Sequence, residues 1–537
     1  MSSNTDSRKF EQFLERTFQA RLKSRPTEAA MAGLRSGEGR LDPVSPRALK
    51  TAELARQRTL ADLDAFSPER LSTEQRLDAL ALRSLLTRES EDYAWGRHGK
   101  DPGALDEILN ILLHELQRGE DEPHRAARNI RSLLEQVPGT LRDAARLVKR
   151  PERVWVTIMK QTQAGAGSLF EAVAGFLKSQ RPKATDAPAI KAAQAAFDRY
   201  SRSVQSRKPA PPGSFSIGAE CLQRRVRDEL GLDYTLGEIE SLALGEIDRM
   251  QGLMKDACRR FKAGANPTAF IERERTNWAP EGDLLQHYRT ETDRIAQAFK
   301  KVKAMSFPPG ESLKVRPVPD FMRHLFPLAA YSAPGPFDNK QEGSFWVNDL
   351  SLIKKTDAEK RAERRQHFGV SLTAAHEAYP GHHLQFATAN RHPRKWRPMF
   401  AHAVFYEGWT LWCEHMLIEL RIETSPAMQL QQLHDALWRC HRILVDLRLQ
   451  TGRYSYRKAV DHMVEHLGMT RARAEADVNW YTQYPAVPMS YWLGKLENER
   501  LKKRLVDDRG WSLKRFNDWL LSFGTLPQSW IEKYGQV

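Results

Sequence analysis

Cysteine is scarce in this chain of 537 residues: there are four, Cys221, Cys258, Cys413 and Cys440. None form a Cys-x-x-Cys pair, which excludes a zinc ribbon built on cysteine, and isolated thiols suit a reducing compartment. Long apolar runs are missing as well. No stretch of about 18 apolar residues occurs, so no segment is expected to span a membrane. The start, Met1 to Lys9, carries no apolar core of a secretory signal. These absences together make the cytoplasm the expected location. Few stretches alternate with period two, which argues against large sheets. No repeat at a solenoid period is visible.

Charge of one sign is in excess, with 83 basic against 68 acidic residues and a net charge of +15. A nucleic-acid binder can show this balance. Here the basic residues are scattered along helical patterns, and no DNA or RNA motif accompanies them. Lys354-Lys355 and Arg361 with Arg364-Arg365 read as solvated helix faces, so nucleic acid is not an expected partner. A positive field still favours acidic substrates or anionic partners.

What the chain does have is helix-forming texture. Gly (31) and Pro (29) are ordinary in number and lie mostly between long runs rich in Ala, Leu, Glu, Arg and Gln. This predicts an all-α, mainly helical protein, large enough for two subdomains. Helices are expected over 8–34, 48–66, 73–89, 106–117, 124–147, 153–179 and 189–204. Ser45-Pro46 and Ser67-Pro68 supply a cap followed by Pro at the first helical position. Residues 206–214, rich in Pro and Ser, read as a linker. It separates an amino-terminal helical subdomain (1–205) from a second one (215–537) carrying the chemistry. Further helices are expected over 236–263 and 283–303. Residues 306–349 then turn to Pro, Gly and aromatics, with two β-like pieces at 313–318 and 344–347. A strand edge there could pair with an extended peptide.

The densest chemistry is His376-Glu377-Ala378-Tyr379-Pro380-Gly381-His382-His383. Imidazole is the commonest protein ligand for zinc, and a carboxylate beside such an ion can take a proton from water. In His-Glu-x-x-His both rings share one helix face. Here the second histidine comes at i+6 or i+7. On a straight helix the first would point about 240° away, and the second would sit about 10 Å along the axis. Neither reaches a shared ion. Pro380 removes a donor and disfavours helix at Tyr379, while Gly381 accepts almost any backbone angle. A break there can return His382 to the i+4 place, which favours His376 and His382 as ligands and puts His383 behind them or toward substrate.

Downstream, residues 400–414 form a helix pattern that is apolar nearly all round and so should be buried. Glu407 sits in its middle, and a lone buried carboxylate is costly unless paired or bound to metal. Two histidines and one glutamate form a catalytic zinc set with a position left open for water. Glu414, two turns on, reads as a supporting carboxylate or a salt-bridge member. Manganese or iron would also accept these donors.

His376 to Gln385, Tyr406-Glu407-Gly408-Trp409, and Leu437-Trp438-Arg439 with Arg442 and Val445-Asp446 together resemble the bacterial "domain of unknown function 885" family. Arg25-Pro26, Gly39 to Asp42, Leu71-Ser72, Phe215 to Gly218, Tyr481, Pro485, Tyr491 and Gly494 extend the resemblance over most of the chain. The resemblance implies a metal-dependent, peptidase-like protein of helices around a deep cleft. It implies His376, His382 and Glu407 as metal ligands, Glu377 as general base and Tyr491 as a hydroxyl donor. Three positions depart from the family pattern: Gln450 stands in place of a histidine, and Val487 and Trp492 in place of a glutamine and a lysine. The expected activity is hydrolysis of a peptide or small amide, with a small non-peptide substrate or a weakly active scaffold as alternatives. Tyr481, His383 and His441 are further candidates to contact the substrate or its developing charge. Arg442 and Arg439 are candidates to anchor a carboxylate or to form an ion network with Asp446. Nothing in the chain specifies an oligomeric state.

Overall fold

The computed structural model describes residues 2–278, 283–323, 326, 328–348 and 356–535. Lys354-Lys355 lies outside the described residues. The fold is mainly helical with one small sheet, as the texture predicts.

The chain divides into two compact units. The first comprises Met1–Phe215 with Pro319–Leu325 and Gly335–Asn339. Its helices follow the capping signals closely. Ser45 accepts a hydrogen bond from the Ala48 amide with Pro46 at the first position, and Ser72 with Gln75 closes a capping box that starts Thr73–Ala94. Ser67-Pro68 starts only a short 3-10 turn, Pro68–Arg70. The expected first helix is broken at Arg25, because Pro26 lacks an amide to continue Ser2–Ser24 and opens Pro26–Met31 instead. Helix Pro123–Leu147 runs through Pro138 without ending. Helices Ala104–Arg118, Pro123–Leu147, Arg153–Ser179 and Asp186–Gln205 pack on one another. They bury Leu109, Leu112, Ile130, Leu133, Phe170, Val173 and Phe197, each contributing about 1.5–3 kcal/mol on leaving water.

The second unit comprises Ser216–Val318, Phe326–Pro334 and Lys340–Val537. Its sheet has strands β1 (Glu311–Pro317), β2 (Ala329–Ser332) and β3 (Gln341–Val347) in the order β1-β3-β2. The two β-like pieces of the sequence are β1 and β3. They pair in parallel, Glu311 opposite Gln341, so they make no hairpin; β2 pairs antiparallel with β3. Strand β3 is central and its last five residues are buried.

Helix Ala403–Glu419 packs on Val487–Lys502, which packs on Pro426–Gln450, which packs on Leu236–Phe261. The first crossing is close because it is glycine on glycine: a side chain at Gly408 would meet the backbone of Gly494, and one at Gly494 would meet the Val404 carbonyl. Helix Ala403–Glu419 is buried on nearly every face, as its all-round apolar sequence predicts. It also packs against Val370–Glu377, which leans on Leu284–Val302. No described helix is long and apolar enough to cross a membrane.

Candidate metal centre

The Pro-Gly break splits the motif into two short helices, Val370–Glu377 and His382–Ala389. The Tyr379–Pro380 peptide is cis. The Trp409 indole N–H donates to the Pro380 carbonyl at 2.8 Å, tying the break to the helix that carries Glu407. Gly381 is packed so tightly that a side chain there would collide with the carbonyls of Ala375 and His376. Its own carbonyl accepts from the Gln385 amide and so starts the second helix. His376 thus lies in the last turn of one helix and His382 begins the next, with ring centres 5.0 Å apart and planes at 84°.

Glu407 meets both rings. Its Oε2 lies 3.5 Å from His376 Nε2 and 3.6 Å from His382 Nε2. One donor atom from each of the three residues lies within 4.8 Å of the others, and all three residues are buried. Tetrahedral ligands at about 2.0–2.1 Å from zinc are about 3.3 Å apart, so small movements would close this set on one ion. Glu407 Oε2 is buried and accepts no hydrogen bond. Burial opposes its negative charge, but the imidazoles of His382 and His376 hold its carboxyl well below the ordinary range. A charged, buried and unsatisfied oxygen between two imidazole nitrogens fits a cation.

The surroundings hold the rings in place. His376 donates from Nδ1 to Glu414 Oε1 at 2.7 Å, which leaves Nε2 for the ion. Arg439 lies 3.6 Å from the same oxygen. Burial works against a charged His376, yet the adjoining carboxylates Glu407 and Glu414 raise its pKa to about 10. The His382 ring stacks on Tyr331 at 6.2 Å and 16°. Glu377 directly follows His376. Burial raises its carboxyl above the usual range, although His376 and His382 pull the other way. Tyr491 stacks on His376 at 6.4 Å and 18°. Burial and the charge of Glu407 push its hydroxyl pKa well above 10, so it stays protonated.

The other predicted residues have different places. His383 is fully buried and both its nitrogens are engaged, Nε2 with Glu311 at 2.6 Å and Nδ1 with the Tyr331 hydroxyl at 3.0 Å. That removes it as a ligand and as a substrate contact; it braces the ring that stacks on His382. Tyr481 is fully buried, accepts from Arg442 Nε at 3.0 Å and donates to Asp477 at 3.1 Å, so it supports Arg442 rather than facing outward. His441 turns to a separate group, with Nδ1 2.9 Å from His462 Nε2 and its ring stacked on His466. Arg442 lies over the Tyr491 ring at 4.6 Å. The expected Arg442–Asp446 pair is absent: Asp446 instead accepts from the Met489 amide, on the helix of Tyr491. Gln450 and Trp492 are structural, donating to the Tyr481 carbonyl and to Glu246, and Val487 opens the helix of Tyr491. Sequence reasoning missed Glu311, Tyr331 and Tyr379, whose hydroxyl also donates to Glu311. The only signal for Glu311 and Tyr331 was the aromatic, Pro- and Gly-rich texture of 306–349, while Tyr379 stood inside the histidine motif itself.

The model of a bacterial protein family of unknown function, DUF885, matches residues 26–534. The chain belongs to the DUF885 family. The DUF885 fold is also seen in two solved structures. One is described as a "putative lipoprotein of unknown function" from Shewanella oneidensis, with 19% identity, a TM-score of 0.76, and 98% of this chain and 99% of that one covered. The other is a "putative lipoprotein" from Colwellia psychrerythraea, with 17% identity, a TM-score of 0.78, and 98% of each chain covered. No curated protein matches this DUF885 chain. The expectation of a cytoplasmic protein is corrected by these descriptions: both structural neighbours are described as putative lipoproteins. That expectation rested on a missing signal segment and isolated thiols, neither of which reports an anchor.

Proposed function

We propose that this DUF885 protein is a metal-dependent hydrolase of peptide or small amide bonds, with zinc as the first choice of ion. The observation that carries this reading is the convergence of His376 Nε2, His382 Nε2 and Glu407 Oε2, the last buried and without a hydrogen bond. Two histidines and one carboxylate leave coordination positions open, the arrangement of a catalytic rather than a structural site. His383, the one residue that could close the set from the motif, is engaged elsewhere.

A divalent ion held by these donors would supply Lewis acidity and a water acidified toward neutral pH. Glu377 is the base. Burial raises its affinity for a proton, so it takes one from the attacking water and delivers it to the leaving amine. Water thereby adds across the C–N bond to give a carboxylate and an amine. Tyr491 stays protonated and can donate to the carbonyl oxygen as charge develops. Glu414 fixes the His376 tautomer, and Tyr331 sets the His382 ring.

The test is a set of dipeptides and N-acyl amino acids offered to the zinc-loaded chain and to Glu377→Gln. Turnover by the parent and none by the variant, with its ion retained, supports the reading. Undiminished turnover in the variant removes Glu377 as the base.

A further inference from the structure

The helix Pro426–Gln450 carries a buried cation with no carboxylate in direct contact; the charges of Asp477 and Glu407 act on it from farther away. Arg442 is 7% exposed, and its Nη1 is buried without a hydrogen-bond partner. Other arginines on this helix are paired, Arg439 with Glu414 and Asp435, and Arg448 with Glu240. Among the described residues no carboxylate pairs with Arg442. Asp446, one turn on, does not serve: it accepts from the Met489 amide instead, and burial holds its carboxyl well above the ordinary range. A buried guanidinium nitrogen without a direct partner is costly, and a site that retains one is suited to an anionic ligand.

The surroundings define which part of Arg442 is left for that ligand. The Trp438 ring lies 4.0 Å from the guanidinium carbon and the Tyr491 ring 4.6 Å. Nε is engaged by the Tyr481 hydroxyl, itself bonded to Asp477. Aromatic rings and Tyr481 therefore hold the group rigid, and the Nη end remains. Planar donors of this kind suit a carboxylate. Tyr491 also sets the distance, because its ring stacks on His376 as well. With the guanidinium 4.6 Å from the Tyr491 ring and that ring 6.4 Å from the His376 ring, Arg442 lies at most 11.0 Å (4.6 plus 6.4) from the ligand ring. That span can hold a carbonyl at the ion and a carboxylate one residue, about 3.8 Å, beyond it.

We propose that Arg442 receives the free α-carboxylate of the residue released by cleavage, so that the substrates are peptides or N-acyl amino acids with an unblocked carboxy terminus. This rests on the hydrolase reading above and names its substrate class.

The test uses full-length, zinc-loaded Glu377→Gln protein and calorimetric binding of hippurate against hippuramide, which differ only in the carboxylate. Hippurate should bind at least about ten-fold tighter. Adding Arg442→Met should remove the difference with metal content unchanged, and Arg442→Lys should restore part of it. Equal binding of acid and amide overturns the proposal, and needs no Arg442 variant. So does a preference for hippurate that survives Arg442→Met, which would place the carboxylate on the ion. Turnover by the parent chain separates the two ideas. Acids and amides hydrolysed alike would remove the carboxylate anchor and leave the hydrolase. Arg442-dependent hippurate binding without turnover of any amide would remove the hydrolase and leave the anion site.

Discussion

Replacing Glu414 by Gln should weaken metal binding without unfolding the chain. Glu414 is buried, and its Oε1 accepts from His376 Nδ1 at 2.7 Å with Arg439 3.6 Å away. The amide keeps the shape and an acceptor oxygen but loses the charge. A charge-assisted hydrogen bond is about twice as strong as a neutral one, and loss of such an outer partner lowers metal affinity about 10–100-fold. That range corresponds to about 1.4–2.7 kcal/mol. Gln should fall at the low end, since Nδ1 keeps a partner and Arg439 keeps Asp435 at 3.8 Å. Ala should fall at the high end, because a buried N–H without a partner costs about 1–3 kcal/mol. Competition with a chromophoric chelator gives the zinc affinity, and circular dichroism shows that the fold is intact. A folded Glu414→Gln protein with affinity within two-fold of the parent would refute the claim that Glu414 orients the ligand.

Two further outcomes follow from the same geometry. The pKa of His376 rises from 6.5 to about 10 on folding without metal, so its stabilising contribution is full below pH 6.5 and is lost as pH rises through about 10. The metal-free protein should therefore melt at lower temperature from pH 7 toward pH 10, while zinc affinity rises because binding must displace that proton. A metal-free melting temperature that climbs over this range would contradict it. Gly494→Ala should destabilise the chain by about 1–3 kcal/mol in denaturant unfolding, since the added methyl meets the Val404 carbonyl; an unchanged midpoint would show that the two helices can part freely.

The helices were legible because their signals are local. The helices that start at Thr73, Arg153 and Leu236 lie where composition and periodicity place them, each opened by a capping side chain, Ser72, Glu152 or Thr235, and the Pro-Gly break ends a helix through proline chemistry that acts within a turn. Glu407 was legible because a carboxylate in an all-apolar helix violates the cost of burying charge. The support behind His382 was not legible. Glu311 and Tyr331 reach His383 from strands β1 and β2, and β1 pairs in parallel with β3 across a long connection. Such contacts depend on where distant segments meet, which no local pattern encodes. Helical spacing also misled in one place. Arg442 and Asp446 are one turn apart and share a face, yet backbone amides take the carboxyl and aromatic rings take the guanidinium.

The most direct measurement is the metal content of the purified, zinc-reconstituted chain by elemental analysis, beside His376→Ala, His382→Ala, His383→Ala and Glu407→Ala. One ion per chain is expected, lost in the variants of His376, His382 and Glu407 and kept in that of His383. A parent chain that holds no ion, or a Glu407→Ala protein that holds it as firmly as the parent, would contradict the account.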